Sequence, residues 1–372
     1  MNDELWALRE MARRFFMKEA VPAMPKWSEQ RFVDREFWLA AGELGLLCPT
    51  VPERFGGAGG TILHQIAITE EQSRVLEKGW GNAVHSGVVT DYILRYGTQE
   101  QCERWLPEMV AGRIIGAIAM TEPGAGSDVR AMISRARRDG DEYVINGNKT
   151  FITNGFTADL VIVAVKLEGS PDPKAITLIA VEANTEGFHR GQPLRKIGQH
   201  AADTAELFFD DCRVPVANRI GEEGAGFSAL MTQMPQERLI LSVNAVVQTE
   251  KAVDLTVDYV KQREVFGKPL FEQQNTRFVL AECKTLAVVG RRFLDQCIVA
   301  HAEGRLDNQT AAMAKWWLSD VQCHVLDECV QLWGGYGYLE EYPIARMYAD
   351  ARVQKVYGGA NEIMKEIIAR TL

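Results

Sequence analysis

Several signatures that would assign this sequence to a common ligand class are missing. The glycine-rich stretch at 56–60 is not followed by Lys and Ser or Thr, which excludes a P-loop. No strand leads into GxGxxG, so a Rossmann unit is not supported. Neither HExxH nor paired histidine or cysteine ligand spacing occurs, so no metal site is expected. No apolar run approaches the roughly 20 residues of a membrane-spanning helix.

Basic clusters are also absent. The formal net charge is −9, which makes nucleic acid and anionic membranes poor partners. Seven scattered cysteines without a CxxC pair indicate reduced core residues rather than disulfides. The first residues form an acidic amphipathic pattern rather than a signal or transit peptide. These features predict a soluble, cytoplasmic protein.

The spacing of apolar residues changes twice along the 372 residues. Residues 1–115 have helical periodicity, residues 116–226 alternate as strands do, and residues 227–372 return to long amphipathic helices. The sequence therefore predicts a mostly α protein with a central antiparallel β domain. An N-terminal helical domain precedes it and a C-terminal helical bundle domain follows.

Two dipeptides inside the β region are typical of hairpin turns. Asp139-Gly140 and Asn146-Gly147 frame the strand-like residues 143–145. Both are therefore expected to reverse the chain.

The stretch Met120–Asp128 follows the apolar run 114–119 and reads Met-Thr-Glu-Pro-Gly-Ala-Gly-Ser-Asp. Pro123, Gly124 and Gly126 break the strand and let the backbone approach a flat ligand. A strand that simply ends in a polar glycine loop is the structural alternative.

This stretch and four later segments resemble, in the same order, those of acyl-CoA dehydrogenases. The resemblance spans essentially the whole chain. It implies the helical, β and four-helix-bundle domains of that family, FAD as cofactor, a fatty acyl-CoA substrate and electron-transferring flavoprotein as partner. It also implies a homotetramer built as a dimer of dimers. The later segments are 151–154, 263–268, 274 and 331–335.

The resemblance also implies which residues contact FAD. In the flavin loop and the second flavin segment, Thr121 contacts the isoalloxazine ring, Ser127 lies near the CoA arm, and Phe151 packs by the ring. Arg263 reaches the FAD of a neighbouring subunit. The full implied set of FAD contacts is Met120, Thr121, Ser127, Phe151, Thr153, Arg263, Phe266, Gln274, Gln331, Gly334, Gly335, Ala360 and Glu362.

Each of these residues also has a purely structural alternative. Arg263 fits a solvated helix residue, Thr153 a surface strand residue and Phe151 a core aromatic. Gly334 and Gly335 fit an ordinary helix C-cap. The order of the five segments, rather than any single residue, carries the resemblance.

The catalytic base is not at its usual family position in this sequence. Many family members supply it from a Tyr-Glu-Gly segment near the C-terminus, but this chain has Tyr357-Gly358-Gly359 there. Either dehydrogenase chemistry is lost or the base comes from elsewhere. Long-chain and isovaleryl members carry it on the first long helix after the β unit, where this chain has Glu237. Glu362 is a rival base.

The surroundings of Glu237 predict its chemistry. Apolar residues at helical spacing, including Ile240 and Leu241, should raise the pKa of this carboxyl. Arg238 should point roughly 100° away around the helix and help to place the CoA thioester.

The glycine turn at 358–359 completes the implied substrate site. By resemblance, the backbone N–H of Gly358 bonds the thioester carbonyl, and Gly359 belongs to the same substrate-binding turn. The side chain missing at position 358 is expected to leave room near the reacting carbons.

Together these features imply an enzyme of fatty acid β-oxidation. It would dehydrogenate a medium- to long-chain fatty acyl-CoA to the trans-2-enoyl-CoA, with Glu237 accepting the α-proton and flavin N5 accepting the hydride. Two alternatives remain, an acyl-CoA oxidase reoxidised by O₂ and a non-catalytic flavin- or CoA-binding scaffold. Peroxide formed without another electron acceptor would indicate the oxidase. A flavin that an acyl-CoA does not bleach would indicate the scaffold.

Overall fold

The computed structural model describes residues 3–75, 79–170, 172 and 175–372. The chain divides into two compact units, each made of three segments. The first comprises Met1–Ile68, Lys78–Lys196 and His200–Met234, and the second comprises Thr69–Glu77, Ile197–Gln199 and Pro235–Leu372.

Helices begin the first unit. Acidic residues Asp3 and Glu4 lie in the first turn of the first helix, where they complement the helix dipole. The seventh helix begins with a capping box between Thr98 and Gln101. The bounds are α1 Asp3–Phe15, α2 Val21–Gln30, α3 Arg35–Glu43, α4 Ile62–Arg74, α5 Asn82–Val84, α6 Thr90–Tyr96 and α7 Gln99–Val110, with π-helical turns at Phe16–Ala20 and His85–Val89.

An eight-stranded sheet follows these helices, in the order β6-β7-β3-β2-β4-β5-β8 with β1 paired to β4. Most neighbours are antiparallel, as predicted, but β1 and β2 each run parallel to β4. Its apolar face buries a core that includes Val161, Val163 and Leu207. The bounds are β1 Gly116–Ala119, β2 Arg135–Asp139, β3 Glu142–Thr153, β4 Leu160–Leu167, β5 Ile176–Glu182, β6 Phe188–Arg190, β7 Thr204–Pro215 and β8 Arg219–Ile220.

The prediction of a turn at Asn146-Gly147 is wrong. The chain reverses at the first dipeptide, between β2 and β3, but the second lies inside β3. The register with β7 shifts between Ile145 and Gly147, which is a β-bulge. The amide of Asn146 exchanges two 2.9 Å hydrogen bonds with Asp211 across the strands. A bulge and a hairpin turn both favour such residues, and the pairing with β7 selects the bulge.

The second unit is helical apart from a short hairpin. Its core includes Ala252, Cys283, Val325 and Cys329 from three of the helices. This organisation confirms the predicted fold class of helices, a β domain and helices. The bounds are α8 Gly226–Gln262, β9 Glu264–Val265, β10 Lys268–Pro269, α9 Gln274–Ala302, α10 Asn308–Trp333, α11 Pro343–Ala351 and α12 Asn361–Ala369.

The cysteines behave as the sequence predicts. All seven are free thiols, and all but Cys323 are buried.

Among the described residues, no helix has the length and apolar character needed to cross a membrane. The described residues also contain no group of three or more His, Cys, Asp or Glu placed to hold a metal ion.

Candidate active site

A glycine turn follows β1 at residues 120–128. The N–H of Glu122 donates to the carbonyl of Ala125 at 2.9 Å, and the reverse bond measures 3.1 Å. A Cβ added at Gly124 or Gly126 would meet no atom within 4 Å. The turn therefore presents an open backbone surface.

A buried ion pair fixes this turn to strand β3. Lys149 Nζ donates to Glu122 Oε1 at 2.8 Å and to the carbonyl of Met120 at 3.1 Å, and both charged side chains are buried. Glu122 also accepts from the backbone N–H groups of Ile133, at 2.6 Å, and Ser134, at 3.0 Å. Sequence reasoning missed this pair because its members lie 27 residues apart.

Burial and hydrogen bonding shift the pKa of both groups in this pair. Burial alone would raise the pKa of Glu122, but the bonds from Ile133, Lys149 and Ser134 outweigh burial and hold that pKa below its ordinary value. Burial lowers the pKa of Lys149, against the attraction of Glu122. The carboxylate is therefore kept ionised as an anchor for the turn.

The second predicted flavin segment lies beside the glycine turn. The N–H of Thr150 donates to the carbonyl of Thr121 at 2.9 Å, which joins the two segments directly. Phe151 falls in a bulge of the β3–β7 ladder, with φ at 58° and a ring that is 67% exposed. Bulges often re-aim a side chain near a ligand. The alternative of Phe151 as a core residue is therefore wrong.

The polar groups of this first cluster are open to a ligand. Within the described residues, no side-chain hydrogen bond involves the hydroxyl groups of Thr121, Ser127 or Thr153. Ser127 is exposed, and the other two are half-buried. These hydroxyl groups lie beside an exposed aromatic ring and a turn that contains two glycines. Such a surface fits a flat ring with polar atoms at its edge, such as the isoalloxazine of FAD.

In the second unit, α8 carries Glu237 and Arg238. Glu237 is half-buried, whereas Arg238 is 5% exposed. The Arg238 guanidinium donates to the carbonyl of Gly358 at 3.4 Å and also hydrogen-bonds to Asn308. Arg238 therefore contacts the Gly358–Gly359 turn through a backbone carbonyl, a position that the sequence did not predict.

The expected room at Gly358 is not there. A Cβ added to this residue would lie 2.3 Å from Leu241 Cδ1, so Leu241 fills the space that a side chain would occupy. Leu241 is four residues after Glu237, and residues at that spacing share one face of a helix. The prediction of an empty space is therefore wrong, and the same contact shows that the surface of α8 that carries Leu241 packs on the turn.

A second cluster of predicted residues lies at the end of α10. One surface pocket of about 580 Å³ brings together Arg263, Gln331, Gly334 and Gly335. The Arg263 guanidinium lies 5.8 Å from the centre of the Tyr336 ring. Sequence reasoning did not name this tyrosine.

The glycines of this pocket serve two purposes. Gly334 follows α10 with φ at 59°, so it does act as a helix cap. A Cβ at Gly334 or Gly335 would nevertheless meet nothing within 4 Å, which leaves a backbone surface open to a ligand. An exposed cation beside such a surface fits the phosphate part of a dinucleotide.

The remaining predicted contacts lie outside this pocket. Phe266 occupies the tip of the β9–β10 hairpin and is 98% exposed. Gln274 is exposed at the first residue of α9. Ala360 is the N-cap residue of α12, and Glu362 is exposed in the first turn of that helix.

Comparison with known proteins gives one consistent result. Three family models match in order: the acyl-CoA dehydrogenase N-terminal domain at residues 2–113, the middle domain at 117–212 and the C-terminal domain at 224–372. The mouse (Mus musculus) long-chain specific acyl-CoA dehydrogenase, mitochondrial, is 47% identical over 366 residues, which cover 98% of this chain and 85% of that protein.

Solved structures agree with the sequence matches. An acyl-CoA dehydrogenase from Geobacillus kaustophilus superposes with a TM-score of 0.98 and 46% identity, covering 100% of this chain and 98% of that one. A glutaryl-CoA dehydrogenase from Mycobacterium smegmatis in complex with FADH2 has a TM-score of 0.91 and 27% identity, covering 100% and 95%. The chain belongs to the acyl-CoA dehydrogenase family, whose members are FAD-dependent oxidoreductases acting on a CH–CH bond.

Proposed function

We propose that this enzyme dehydrogenates medium- to long-chain fatty acyl-CoA and that Glu237 is its α-proton acceptor. The support comes from the contact between Leu241 and Gly358. Leu241 lies four residues after Glu237 on α8, and it packs on the turn where many family members carry their acid and this chain carries none. The carboxylate of Glu237 is half-buried, and Ile240 three residues further along α8 is buried, a setting in which a carboxylate can act as a general base.

FAD, when bound, supplies the acceptor for the hydride from the β-carbon through flavin N5. The chain's own groups bind and orient the reactants. Thr121, Ser127, Phe151 and Thr153 would hold the isoalloxazine end in the first unit. Arg263 and Gln331 would hold the FAD of a neighbouring subunit, since both are exposed at the α10 pocket.

The assembly and its partner follow from the same proposal. Phe266, almost fully exposed at its hairpin tip, would be covered by a second subunit in a homotetramer built as a dimer of dimers. Electron-transferring flavoprotein would reoxidise the enzyme. The domain boundaries at 115/116 and 226/227 and the cytoplasmic location remain predictions, and the mouse relative's own name is that of a mitochondrial protein.

A pair of glutamine variants tests the base. Glu237→Gln should bind FAD and acyl-CoA normally, yet an anaerobic saturated acyl-CoA should no longer bleach its flavin absorbance. The rate of bleaching should fall at least about 1,000-fold, because the carboxylate is the proton acceptor. Glu362→Gln removes the rival acid but keeps a polar side chain of the same length as an FAD contact, so with saturating FAD it should keep a rate near that of the unaltered enzyme. Normal bleaching in Glu237→Gln would remove Glu237 from the mechanism.

A further inference from the structure

Lys315 of α10 is a buried lysine outside the site predicted from the sequence. Its side chain is 1% exposed. Its ammonium donates to the carbonyl of Gly359 at 2.7 Å and to Asn361 Oδ1 at 2.8 Å. Within the described residues it forms no ion pair with a carboxylate. Burying a charge that is hydrogen-bonded only to neutral oxygens costs free energy. A functional role would account for a lysine that lies against the Gly358–Gly359 turn.

Two cations hold consecutive carbonyls of the same turn. Arg238 donates to the carbonyl of Gly358, and Lys315 donates to that of Gly359. Both glycines have positive φ angles, 65° and 95°, in a region where no side chain restricts the backbone. The two cations therefore supply the restraint that the glycines themselves lack.

The N–H groups of the turn are unpaired. Within the described residues, the backbone N–H groups of Gly358, Gly359 and Ala360 donate to no acceptor. In a trans peptide the carbonyl of one residue and the N–H of the next point in opposite directions. Fixing the carbonyls of Gly358 and Gly359 therefore fixes the N–H groups at 359 and 360 directly, and it also restrains the Cα of Gly358, which carries the remaining N–H of the turn.

Each cation also polarises the peptide group that it binds. Hydrogen bonds in series strengthen one another, so a cation on a carbonyl makes the N–H at the other end of that peptide a better donor. Donors that are fixed before reaction stabilise negative charge developing on an oxygen without reorganisation. A thioester carbonyl gains such charge when its α-proton leaves.

We propose that Lys315 is a positioning residue that holds the Gly358–Gly359 turn so that its unpaired N–H groups bind the substrate's thioester carbonyl. This inference rests on the proposed function and goes further, since it assigns the rigidity of the carbonyl site to a residue that does not touch substrate. Asn361 completes the support. It accepts from Lys315 and donates to Asp320 at 3.1 Å.

The charge on Lys315 titrates within reach of experiment. Burial, together with Arg238 of α8, lowers the pKa of Lys315 to about 8, while Asp320 on the same helix and Glu362 of α12 oppose this change. Lys315 is therefore charged at pH 7 and loses its proton as the pH rises through 8. The hold on the turn should weaken over the same range.

The carbonyl stretching frequency of a bound thioester reports the hydrogen bonds directly. With a trans-2-enoyl-CoA carrying ¹³C at the carbonyl, the holoenzyme at pH 7 should show a frequency below that of the ligand in water. Lys315→Met should lose most of this lowering, and its kcat should fall about 10- to 100-fold with a much smaller change in KM. Lys315→Arg, which keeps the charge, should retain most of both.

A matched variant separates positioning from general stability. Lys355 forms an ion pair with Asp320 at 2.8 Å, and Asn361 donates to the same carboxylate. Lys355 does not bond to the Gly358–Gly359 turn. Lys355→Met should therefore leave the carbonyl frequency unchanged even where its melting temperature falls. An unchanged carbonyl frequency and kcat in Lys315→Met would overturn the proposal.

The unaltered enzyme provides a second measurement in case Lys315→Met does not fold. Its carbonyl frequency should rise toward the solution value as the pH passes 8, and that of Lys315→Arg should not. A frequency that stays constant from pH 6.5 to about 9.5 would contradict the role of Lys315. If the unaltered enzyme fails to lower the frequency at any pH, the proposed function itself fails.

Discussion

Leu241 and Gly358 form a contact that determines where the enzyme can carry its acid. The Leu241 side chain occupies the space of any Cβ at position 358, and φ at Gly358 is 65°. A side chain added at position 358 would overlap the Leu241 side chain. It would also have to adopt a backbone conformation that favours glycine. Overpacking and left-handed backbone each cost roughly 1–3 kcal/mol.

A transfer of the base therefore requires two changes. In the inactive Glu237→Gln background, Gly358→Glu alone should restore little flavin bleaching. Adding Leu241→Ala should raise the bleaching rate at least about tenfold over that variant, because it removes the overlap. Anaerobic rapid mixing with acyl-CoAs of graded chain length measures both rates.

The control for this transfer carries Gln instead of Glu at position 358 in the same triple variant. It has the same size without the acid and should remain inactive. Equal recovery with and without Leu241→Ala would show that Leu241 does not restrict the site. The absence of any recovery would show that the two base positions are not interchangeable in this protein.

Single site residues could be predicted where a local motif carried them, and their roles as FAD contacts stay predictions. Thr121, Phe151 and Gly334 lie in short segments with a recognisable order, and the structure places them at open surfaces. Lys315 was out of reach because Asn361, one of its partners, lies 46 residues away and a helical lysine is normally solvated. Leu241 was seen only as an apolar neighbour of Glu237.

At the scale of elements, His85 joins several pieces of the first unit. The N–H of Gly116 in β1 donates to His85 Nδ1 at 3.0 Å. The other ring nitrogen, Nε2, therefore carries the proton of the neutral ring and lies 3.1 Å from the carbonyl of Met109 in α7. Burial lowers the pKa of His85 to about 4.

This pKa predicts acid sensitivity. Its value in the unfolded chain is near 6.5, so the unfolded state takes up the proton first as the pH falls. Stability is complete above pH 6.5 and falls between 6.5 and 4, by about 3 kcal/mol for this group alone. The midpoint of thermal unfolding should therefore drop more steeply from pH 7 to pH 5 in the unaltered protein than in His85→Gln.

An exposed histidine provides the comparison for this experiment. His189 lies on β6 with its side chain in solvent. His189→Gln should leave the dependence of the unfolding midpoint on pH unchanged. A His85→Gln variant with the same pH dependence as the unaltered protein would show that His85 does not control acid stability.

Elements were predicted from periodicity, and their order and type are right. Long helices such as α9 and α10 carry enough repeats to be unambiguous. The failure at Asn146 has a physical cause: the same dipeptide suits a tight turn and a bulge, and only pairing with β7, some 60 residues later, distinguishes them. The two parallel pairings of β4 were equally non-local.

At the scale of the whole molecule, the proposal divides each active site between two subunits. Glu237 would act in its own subunit, whereas Arg263 would serve the FAD of a neighbour. Glu237→Gln and Arg263→Ala should each abolish turnover in a homogeneous preparation, the second through loss of bound FAD. Co-expression of the two should restore activity, because a mixed pair contains one complete site.

When equal amounts of the two variants pair at random, half of the pairs are mixed, and each mixed pair has one complete site out of two. About one quarter of all sites are therefore complete. Turnover per subunit in the co-expressed enzyme should therefore approach a quarter of that of the unaltered enzyme. Mixing the two purified variants without dissociation should give none. Absence of activity after co-expression, with mixed pairs demonstrated by two affinity tags, would show that Arg263 acts within its own subunit.

The contact between Leu241 and Gly358 also constrains how such an enzyme can evolve. A descendant in which the acid moves to position 358 would have to displace the Leu241 side chain, because a Cβ there would lie 2.3 Å from Leu241 Cδ1. A smaller residue at position 241 would therefore make a second acid at position 358 less costly, before the acid on the helix is lost. The packing of one methyl group thus favours one order of mutations over the other.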